Sequence, residues 1–218
     1  MIPKRDFEYA PSAAPLEIIH HGQDLIVINK PSGLLSVPGK TEPDCAQARL
    51  QALIPNALTV HRLDMATSGL MVFAANPAAQ RHLGLQFEKR MARKSYAARV
   101  WGEVKSKEGS VDLPLICDWP NRPLQKVCHE TGKPAQTNWE VTGREAGITR
   151  LALFPLTGRS HQLRVHCLEM GHPIVGDRLY AHDAAFAAAE RLQLHAEYLS
   201  VRNPSGGAWM EFHAPAQF

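Results

Sequence analysis

The sequence predicts an α+β domain with a mixed, largely antiparallel central sheet and flanking helices. Two observations favour this class: strand-like and helix-like segments are interspersed along the chain, and several neighbouring strand-like runs are joined by short turns. No internal repeat, low-complexity tract or long linker interrupts the pattern. Residues 1–15 are polar and contain three prolines, so we expect a flexible arm there. Residues 16–218 are expected to form one domain.

The first half of the chain contains a predicted strand pair, two further extended segments and two helices. The strand pair consists of apolar runs at residues 16–19 and 25–29, around a turn at Gly22. The extended segments are residues 60–64 and 69–74. A helix is predicted from Pro43 to about residue 54. A second helix should begin at Asn76-Pro77, which supplies an N-cap and a first-turn proline, and should end near Met91.

The second half contains predicted strands at residues 96–101, 139–141, 150–154, 194–201 and 208–212. The last two should form a closing hairpin around the turn at residues 203–207. Ser160 is predicted to cap a helix that Gly171 ends. A short alanine-rich helix is predicted at residues 184–191.

Composition excludes several classes of protein. With 218 residues, 44% hydrophobic and 21% charged, a largely disordered chain is excluded, and a sizeable core can form. No run of about 18 apolar residues indicates a membrane span. The first residues lack the apolar centre of a signal peptide, so we expect a cytoplasmic protein. The net charge of +3 permits binding of nucleic acid without requiring it.

Cysteine and histidine spacing gives no reason to assign a metal. The four cysteines contain no C-x-x-C pair, and a cytoplasmic location argues against disulfides. No H-E-x-x-H motif occurs, and His161 and His166 are five residues apart, whereas ligand pairs on a helix are usually four apart.

A polar segment at residues 61–69 lies between two apolar runs. In an extended conformation Arg62 and Asp64 point to one face, beside a Thr-Ser-Gly turn. Such a carboxylate and guanidinium could form a preorganised polar site. The alternative is an ion pair and an aspartate that only stabilise a turn.

A second segment, at residues 158–166, should be a turn followed by a capped helix. His161, Arg164 and Leu168 would share one face of that helix. The arginine could neutralise a buried carboxylate or hold a phosphate. The alternative is an amphipathic helix whose polar face is solvated.

Basic residues are concentrated in two places that could contact RNA. One group precedes Tyr96, and basic side chains beside an aromatic ring suit a phosphate backbone with an unstacked base. The alternative there is a solvated helix end. The other group lies in or after the aromatic loop at residues 118–123. The candidate phosphate-binding residues are Lys89, Arg90, Arg93, Lys94, Arg122 and Lys126.

Six motifs in order make the sequence resemble the RluA family of RNA pseudouridine synthases. They are N-K-P-S-G at 29–33, H-R-L-D-M-A-T-S-G at 61–69, K-S-Y at 94–96, G-R-S-H-Q-L-R-V-H at 158–166, G-D-R-L-Y at 176–180 and L-H-A at 194–196. The resemblance covers about residues 16–218. It implies the pseudouridine synthase fold. Because only about 15 residues precede the pattern, no S4-type RNA-binding domain is expected.

The resemblance also implies roles for individual residues. Asp64 would be the catalytic carboxylate, acting as nucleophile or base, with Arg164 paired to it and Tyr96 against the target base. Arg62 would enter the stack left by a flipped uridine, while His61 supports the loop or contacts RNA. The remaining implied residues are apolar pocket walls: Leu163, Val165 and Leu194. No cofactor is implied.

The implied substrates are structured RNAs, namely a tRNA anticodon stem-loop and a loop of 23S rRNA. A monomer with no obligate protein partner and no membrane association is expected. An RNA-binding or RNA-folding factor with incidental catalysis is the first alternative. A retaining glycosidase is the second alternative. It would need another carboxylate close to Asp64, which the H-R-L-D motif does not supply; the acidic residues considered for that role are Glu88 and Asp177.

Overall fold

The structure is a computed structural model, which describes Arg5 and residues 8–218. Its contacts divide the chain into two compact units. Each unit is named here after one of its residues. The Asp64 unit comprises Glu8–Lys94 and His195–Phe218, and the Arg164 unit comprises Ser95–Leu194 together with Arg5. The single domain expected over residues 16–218 remains a prediction.

The Asp64 unit is a sheet with two helices. Its strands are β1 (Glu17–His21), β2 (Leu25–Lys30), β3 (Leu58–Thr59), β4 (Ser68–Ala74), β11 (Leu194–Arg202) and β12 (Trp209–His213). Leu194, the first residue of β11, belongs to the Arg164 unit. Its helices are α1 (Ala46–Leu53) and α2 (Pro77–Glu88). The strand order is β1-β2-β4-β11-β12, and β3 pairs with β4. These pairs are antiparallel except for β4 and β11, which run parallel.

The core of the Asp64 unit lies against β4, every residue of which is buried. Alternate residues of β2 and β4 pack against the inner face of α2, represented by Ala79 and Leu83. Burying such an apolar face against the sheet is what stabilises a helix of 12 residues. Since β4 begins four residues after Asp64, this core fixes one end of the loop that carries the carboxylate.

The Arg164 unit contains a four-stranded antiparallel sheet, a separate two-stranded ribbon and two helices. The sheet strands are β5 (Arg93–Trp101), β6 (Glu108–Asp112), β9 (Gln136–Glu145) and β10 (Ile148–Pro155), in the order β5-β10-β9-β6. The first two residues of β5 belong to the Asp64 unit. The ribbon pairs β7 (Leu115–Cys117) with β8 (Gln125–Val127). The helices are α3 (Gln162–Glu169) and α4 (Asp183–Ala187).

The predicted mixed, largely antiparallel sheet with a few flanking helices is confirmed. Several boundaries were predicted wrongly. Helix α2 ends at Glu88, before the predicted Met91, because Arg90 takes a left-handed conformation with φ 59°. The N-cap position of α3 is His161, also left-handed with φ 54°, and not Ser160. None of the helices in the described part of the chain is long and apolar enough to cross a membrane.

The expected flexible arm is described only at Arg5 and residues 8–15; residues 1–4, 6 and 7 lie outside the described residues. Within the Arg164 unit, the Arg5 guanidinium pairs with Asp183 at 2.8 Å and lies 4.1 Å from the centre of the Phe186 ring. Within the Asp64 unit, the hydroxyl of Tyr9 donates to the carbonyl of Asp44 at 2.8 Å. Arg5 and Tyr9 are therefore both held by side-chain contacts.

Candidate active site

Asp64 lies in the loop between β3 and β4, and residues 32 and 36 hold the backbone of that loop. The Ser36 hydroxyl donates to the carbonyl of Leu63 at 2.7 Å and accepts the Leu63 N–H at 3.1 Å. The Ser32 hydroxyl donates to the carbonyl of Ala66 at 2.6 Å. Since these bonds fix the backbone on both sides of Asp64, the half-buried carboxylate is preorganised.

Lys30 is completely buried beside the same loop. Its ammonium group donates to the carbonyls of Pro31 at 2.9 Å, Leu34 at 2.7 Å and Met65 at 3.0 Å. Burial lowers the pKa of Lys30 to about 7, and the negative charge of Asp64 acts in the opposite direction. The buried amino group of Lys30 thus ties the N-K-P-S-G segment to the loop and lies within the electrostatic influence of the Asp64 carboxylate.

Replacing Ser36 with alanine tests how much this clamp stabilises the fold. The change leaves the buried N–H and C=O of Leu63 without their shared partner. We expect the free energy of unfolding to fall by about 1–3 kcal/mol in urea titration, because unsatisfied buried polar groups keep their desolvation cost. The exposed Ser106→Ala is the matched control and should change it by less than about 0.5 kcal/mol. Equal effects of the two changes would show that the Ser36 bonds do not hold the loop.

The end of the loop is fixed where β4 meets β11. Gly69 has φ 112°, and a Cβ atom there would overlap the backbone of Ala196. One residue earlier, the Ser68 hydroxyl lies 2.8 Å from Nδ1 of His195, whose Nε2 lies 2.8 Å from the carbonyl of Ala214. Ser68 and His195 are both buried, so these hydrogen bonds link the H-R-L-D-M-A-T-S-G segment to the C-terminal segment.

His61 also supports the loop. Its Nε2 accepts the Val72 N–H at 3.0 Å, and its ring stacks on Phe87 with centroids 4.3 Å apart. Burial, with the nearby Lys94 charge, lowers the pKa of His61 to about 3. The imidazole is therefore neutral at physiological pH. This geometry favours the loop-supporting role for His61 over a contact with RNA.

In the Arg164 unit, Arg164 forms a buried ion pair with Asp177. Its Nε and Nη2 donate to the two carboxylate oxygens of Asp177 at 2.7 and 2.6 Å. Asp177 is completely buried and also accepts the N–H groups of Leu179 at 2.9 Å and Tyr180 at 3.2 Å. The G-D-R-L-Y motif thereby orients the guanidinium through a bidentate pair.

The polar residues in the first part of α3, Gln162, Arg164 and His166, are buried. Gln162 is an example: its carbonyl oxygen accepts from Thr157 and Arg159, and its amide donates to Gln136 and Thr137. The alternative of a solvated polar face is therefore wrong. The spacing of residues along the helix could not predict this burial, because the hydrogen-bond partners come from β9 and from the turn before the helix.

His161 and Tyr180 form a further polar contact at the start of α3. The Tyr180 hydroxyl accepts the Gln125 N–H at 2.8 Å and lies 2.7 Å from Nδ1 of His161. The guanidinium carbon of Arg164 is 5.0 Å from the centre of the Tyr180 ring. The left-handed backbone of His161 is thus stabilised by a residue that also packs on Arg164.

The comparisons with known proteins decide the family. Residues 24–169 match the family described as RNA pseudouridylate synthase. The chain belongs to this RNA pseudouridylate synthase family. It is 56% identical over 214 residues to the dual-specificity RNA pseudouridine synthase RluA of Escherichia coli K12, covering 96% of this chain and 98% of the relative. RluA of Yersinia pestis is 55% identical over 204 residues, covering 92% and 99%.

Solved structures of the family agree with the fold. Human RNA pseudouridylate synthase domain containing 1 has a TM-score of 0.80 and 28% identity, covering 94% of this chain and 86% of that one. Human RNA pseudouridylate synthase domain containing 4 has a TM-score of 0.75 at 24% identity, covering 92% and 88%, and supports the fold alone.

The structure places the predicted family site residues in both units. Arg62 is exposed and Asp64 half-buried in the Asp64 unit, whereas Tyr96 is half-buried on β5 in the Arg164 unit. Three apolar residues predicted as pocket walls are buried in the Arg164 unit: Leu163, Val165 and Leu194. Val165 packs in a core cluster with Leu115, Ala135 and Tyr180. The roles of these residues remain predictions.

The basic residues differ in their surroundings. Lys89, Arg90 and Arg93 are exposed. Lys94 is half-buried, and burial lowers its pKa. The guanidinium of Arg122 lies 3.9 Å from the centre of the exposed Trp119 ring, and Lys126 pairs with Asp118 at 3.1 Å.

Sequence reasoning did not assign roles to Lys30, Ser36 or Asp177. Of the three, only Lys30 has a local signal, since it ends the apolar strand β2. A lysine buried in that position needs several hydrogen-bond acceptors, which indicates a structural role. Ser36 and Asp177 act on residues 27 and 13 positions away, and nothing in the local sequence indicates those contacts.

Proposed function

We propose that this chain is an RNA uridine isomerase that forms pseudouridine in structured RNA, with Asp64 as its catalytic carboxylate. The observation that carries the proposal is the clamped loop of the H-R-L-D motif, where Ser32, Ser36 and Lys30 fix the backbone around Asp64. The relatives' name, dual-specificity RNA pseudouridine synthase, supports it over 96% of the chain.

The reaction is an isomerisation, so atoms balance without a co-reactant. The bond from uracil N1 to ribose C1′ breaks, the base rotates, and a bond from C5 to C1′ forms. The proton lost from C5 is balanced by one gained at N1. An ionised Asp64 can attack C1′ or remove a proton from the sugar, and both routes need a carboxylate at a fixed distance from the ribose.

Three other residues are proposed to act on the substrate. Tyr96 would lie against the target base, and Arg164 would pair with the catalytic carboxylate. Arg62, exposed beside Asp64, would fill the space that the flipped uridine leaves in the RNA stack. Its planar guanidinium suits that place because it can stack on neighbouring bases.

The proposed substrates are the anticodon stem-loop of tRNA and a loop of 23S rRNA, which fits the dual specificity of the named relatives. Such loops are recognised by shape and by unstacked bases more than by long sequence. We propose that the protein acts on them in the cytoplasm as a monomer, with no obligate protein partner and no cofactor.

Incubation of purified protein with each transcribed RNA tests this function. Carbodiimide treatment and primer extension should reveal one new stop in each loop. A matched RNA with cytidine in place of the reactive uridine should show none. If neither RNA acquires pseudouridine while the protein is folded, the proposed substrates are wrong.

A further inference from the structure

Two arginines converge on one exposed tryptophan in the Asp64 unit. The guanidinium carbons of Arg93 and Arg202 lie 4.6 and 4.9 Å from the centre of the Trp209 ring. Both arginines are exposed, and Trp209 keeps 36% of its surface accessible. We call these three residues the guanidinium–indole cluster. Neither Arg202 nor Trp209 belongs to the basic segment that the sequence singled out.

The fold fixes the backbone of Arg202 and places it beside Trp209. Arg202 and Trp209 are direct partners in the pairing of β11 with β12. The side chain of buried Gln86, in α2, accepts the Arg202 N–H at 2.7 Å and donates to the Arg202 carbonyl at 2.8 Å. The Gln86 carbonyl accepts the N–H of Met91 at 2.8 Å. The end of α2 and the end of β11 are therefore joined through one residue.

The turn after α2 adds a strained arginine to the same region. Arg90 has φ 59°, at the helix-ending position that glycine usually occupies. Its N–H donates to the carbonyl of Phe87, and that of Met91 donates to Gln86, which completes a Schellman motif. A residue with a Cβ atom is less stable in this conformation than glycine is. The exposed guanidinium is thus kept at a cost to stability.

The charges of the cluster are unbalanced. Among the described residues, no carboxylate lies within 4.0 Å of Arg93 or Arg202. Stacking on the indole uses the flat face of each guanidinium and leaves its N–H groups for acceptors. Nη1 of Arg202 donates to the carbonyl of Gly207 at 3.2 Å, and the other N–H groups of that guanidinium remain for a bound anion. Two like charges against one ring repel each other, so a bound anion would lower the energy. The two non-bridging oxygens of a phosphodiester can accept two parallel N–H···O bonds from the edge of a planar guanidinium.

We propose that the guanidinium–indole cluster, with Lys89 and Arg90, binds backbone phosphates of the RNA away from the reacting uridine. This inference rests on the proposed function, because it takes RNA as the substrate. It extends the predicted basic segment to Arg202 and Trp209. The surface reads charge and not sequence, so it contributes affinity in common to different RNA substrates.

Replacing both arginines with glutamine tests the proposal. Binding of a labelled hairpin with an anticodon stem-loop sequence is measured by fluorescence anisotropy over a series of salt concentrations. For Arg93→Gln/Arg202→Gln we expect Kd at 0.1 M salt to rise at least about fivefold. The slope of log Kd against log salt should fall by about 1–2, since each lost phosphate contact removes nearly one unit. Lys105→Gln/Lys107→Gln, an exposed pair in the other unit with the same charge change, should leave both values unchanged.

The Arg90→Gly variant separates binding from folding. Because glycine is favoured at φ 59°, we expect this protein to be at least as stable as the parent in urea titration. The Arg90→Gly protein should nevertheless bind the RNA hairpin with a Kd about threefold higher and with a smaller salt slope. Unchanged Kd and slope in both Arg90→Gly and the double variant would overturn the proposal. An equal loss in the Lys105 and Lys107 variant would also overturn it, because general charge would then explain the binding.

These measurements use binding alone, so they are independent of catalysis. If the protein binds RNA through the cluster but forms no pseudouridine, the proposed reaction fails and the phosphate surface stands. If pseudouridine forms normally and the cluster variants bind as the parent does, the surface fails and the reaction stands.

Discussion

Asp64→Asn should abolish pseudouridine formation while RNA binding survives. An amide can neither attack the anomeric carbon nor accept a sugar proton, so we expect turnover to fall at least about 10³-fold. Kd for the RNA hairpin should change by less than about threefold, because the amide nearly preserves the shape of the carboxylate. Single-turnover assays and anisotropy measure the two quantities.

The serine hydrogen bonds of the loop survive this substitution. The bonds from Ser32 and Ser36 join backbone groups and do not depend on the Asp64 side chain. Without the negative charge of Asp64, the pKa of Lys30 should fall further, since that charge opposes the effect of burial. The exposed Asp112→Asn is the matched control and should retain full turnover. Turnover above a tenth of the parent value in Asp64→Asn would refute the catalytic assignment.

Among the substitutions proposed for this protein, Asp177→Asn should lower the free energy of unfolding most. The change leaves the buried guanidinium of Arg164 facing an amide, in a pair whose side chains are 4% and 0% exposed. Breaking one side of such a pair typically costs about 3–5 kcal/mol. We therefore expect Tm to fall by about 10 °C, at roughly 2–4 °C per kcal/mol in a chain of this size. Turnover measured well below the new Tm should also fall, because Arg164 loses its orientation.

An exposed ion pair in the same unit is the control for that experiment. Arg150 pairs with Glu145 at 2.7 Å, but both side chains are more than 40% exposed. Glu145→Gln should therefore cost less than about 1 kcal/mol and leave turnover unchanged. A Tm loss in Asp177→Asn no larger than in Glu145→Gln would mean that the buried pair does not stabilise the unit.

The sequence predicts an element well where the residues that begin or end it are its own neighbours in the chain. Asn76 accepts the Ala79 N–H at 2.8 Å, so α2 begins where the Asn-Pro pair predicts. The end of α2 was missed because Arg90 adopts a conformation that favours glycine. Strand β6 was not predicted because three of its first four residues, including Gly109, are exposed, and its pairing with β9 is distant in sequence.

The same division holds for the candidate site. Asp64 stands inside a specific motif and was predicted from it. The groups that hold it or its partners act across the chain: Lys30 reaches Met65, 35 residues away, and Ser68 reaches His195, 127 residues away. A linear pattern cannot show such contacts, because they depend on which strands the fold places side by side.

Mapping pseudouridine in cells tests the central claim most directly. The chromosomal gene is deleted, and a plasmid supplies either the parent gene or the Asp64→Asn form. RNA from each strain is treated with carbodiimide, and the resulting stops are read by primer extension. We expect stops in a tRNA anticodon loop and a 23S rRNA loop with the parent and none with Asp64→Asn. Equal stops in both would show that Asp64 is not the catalytic group, and their absence from both would show that the protein does not modify these RNAs.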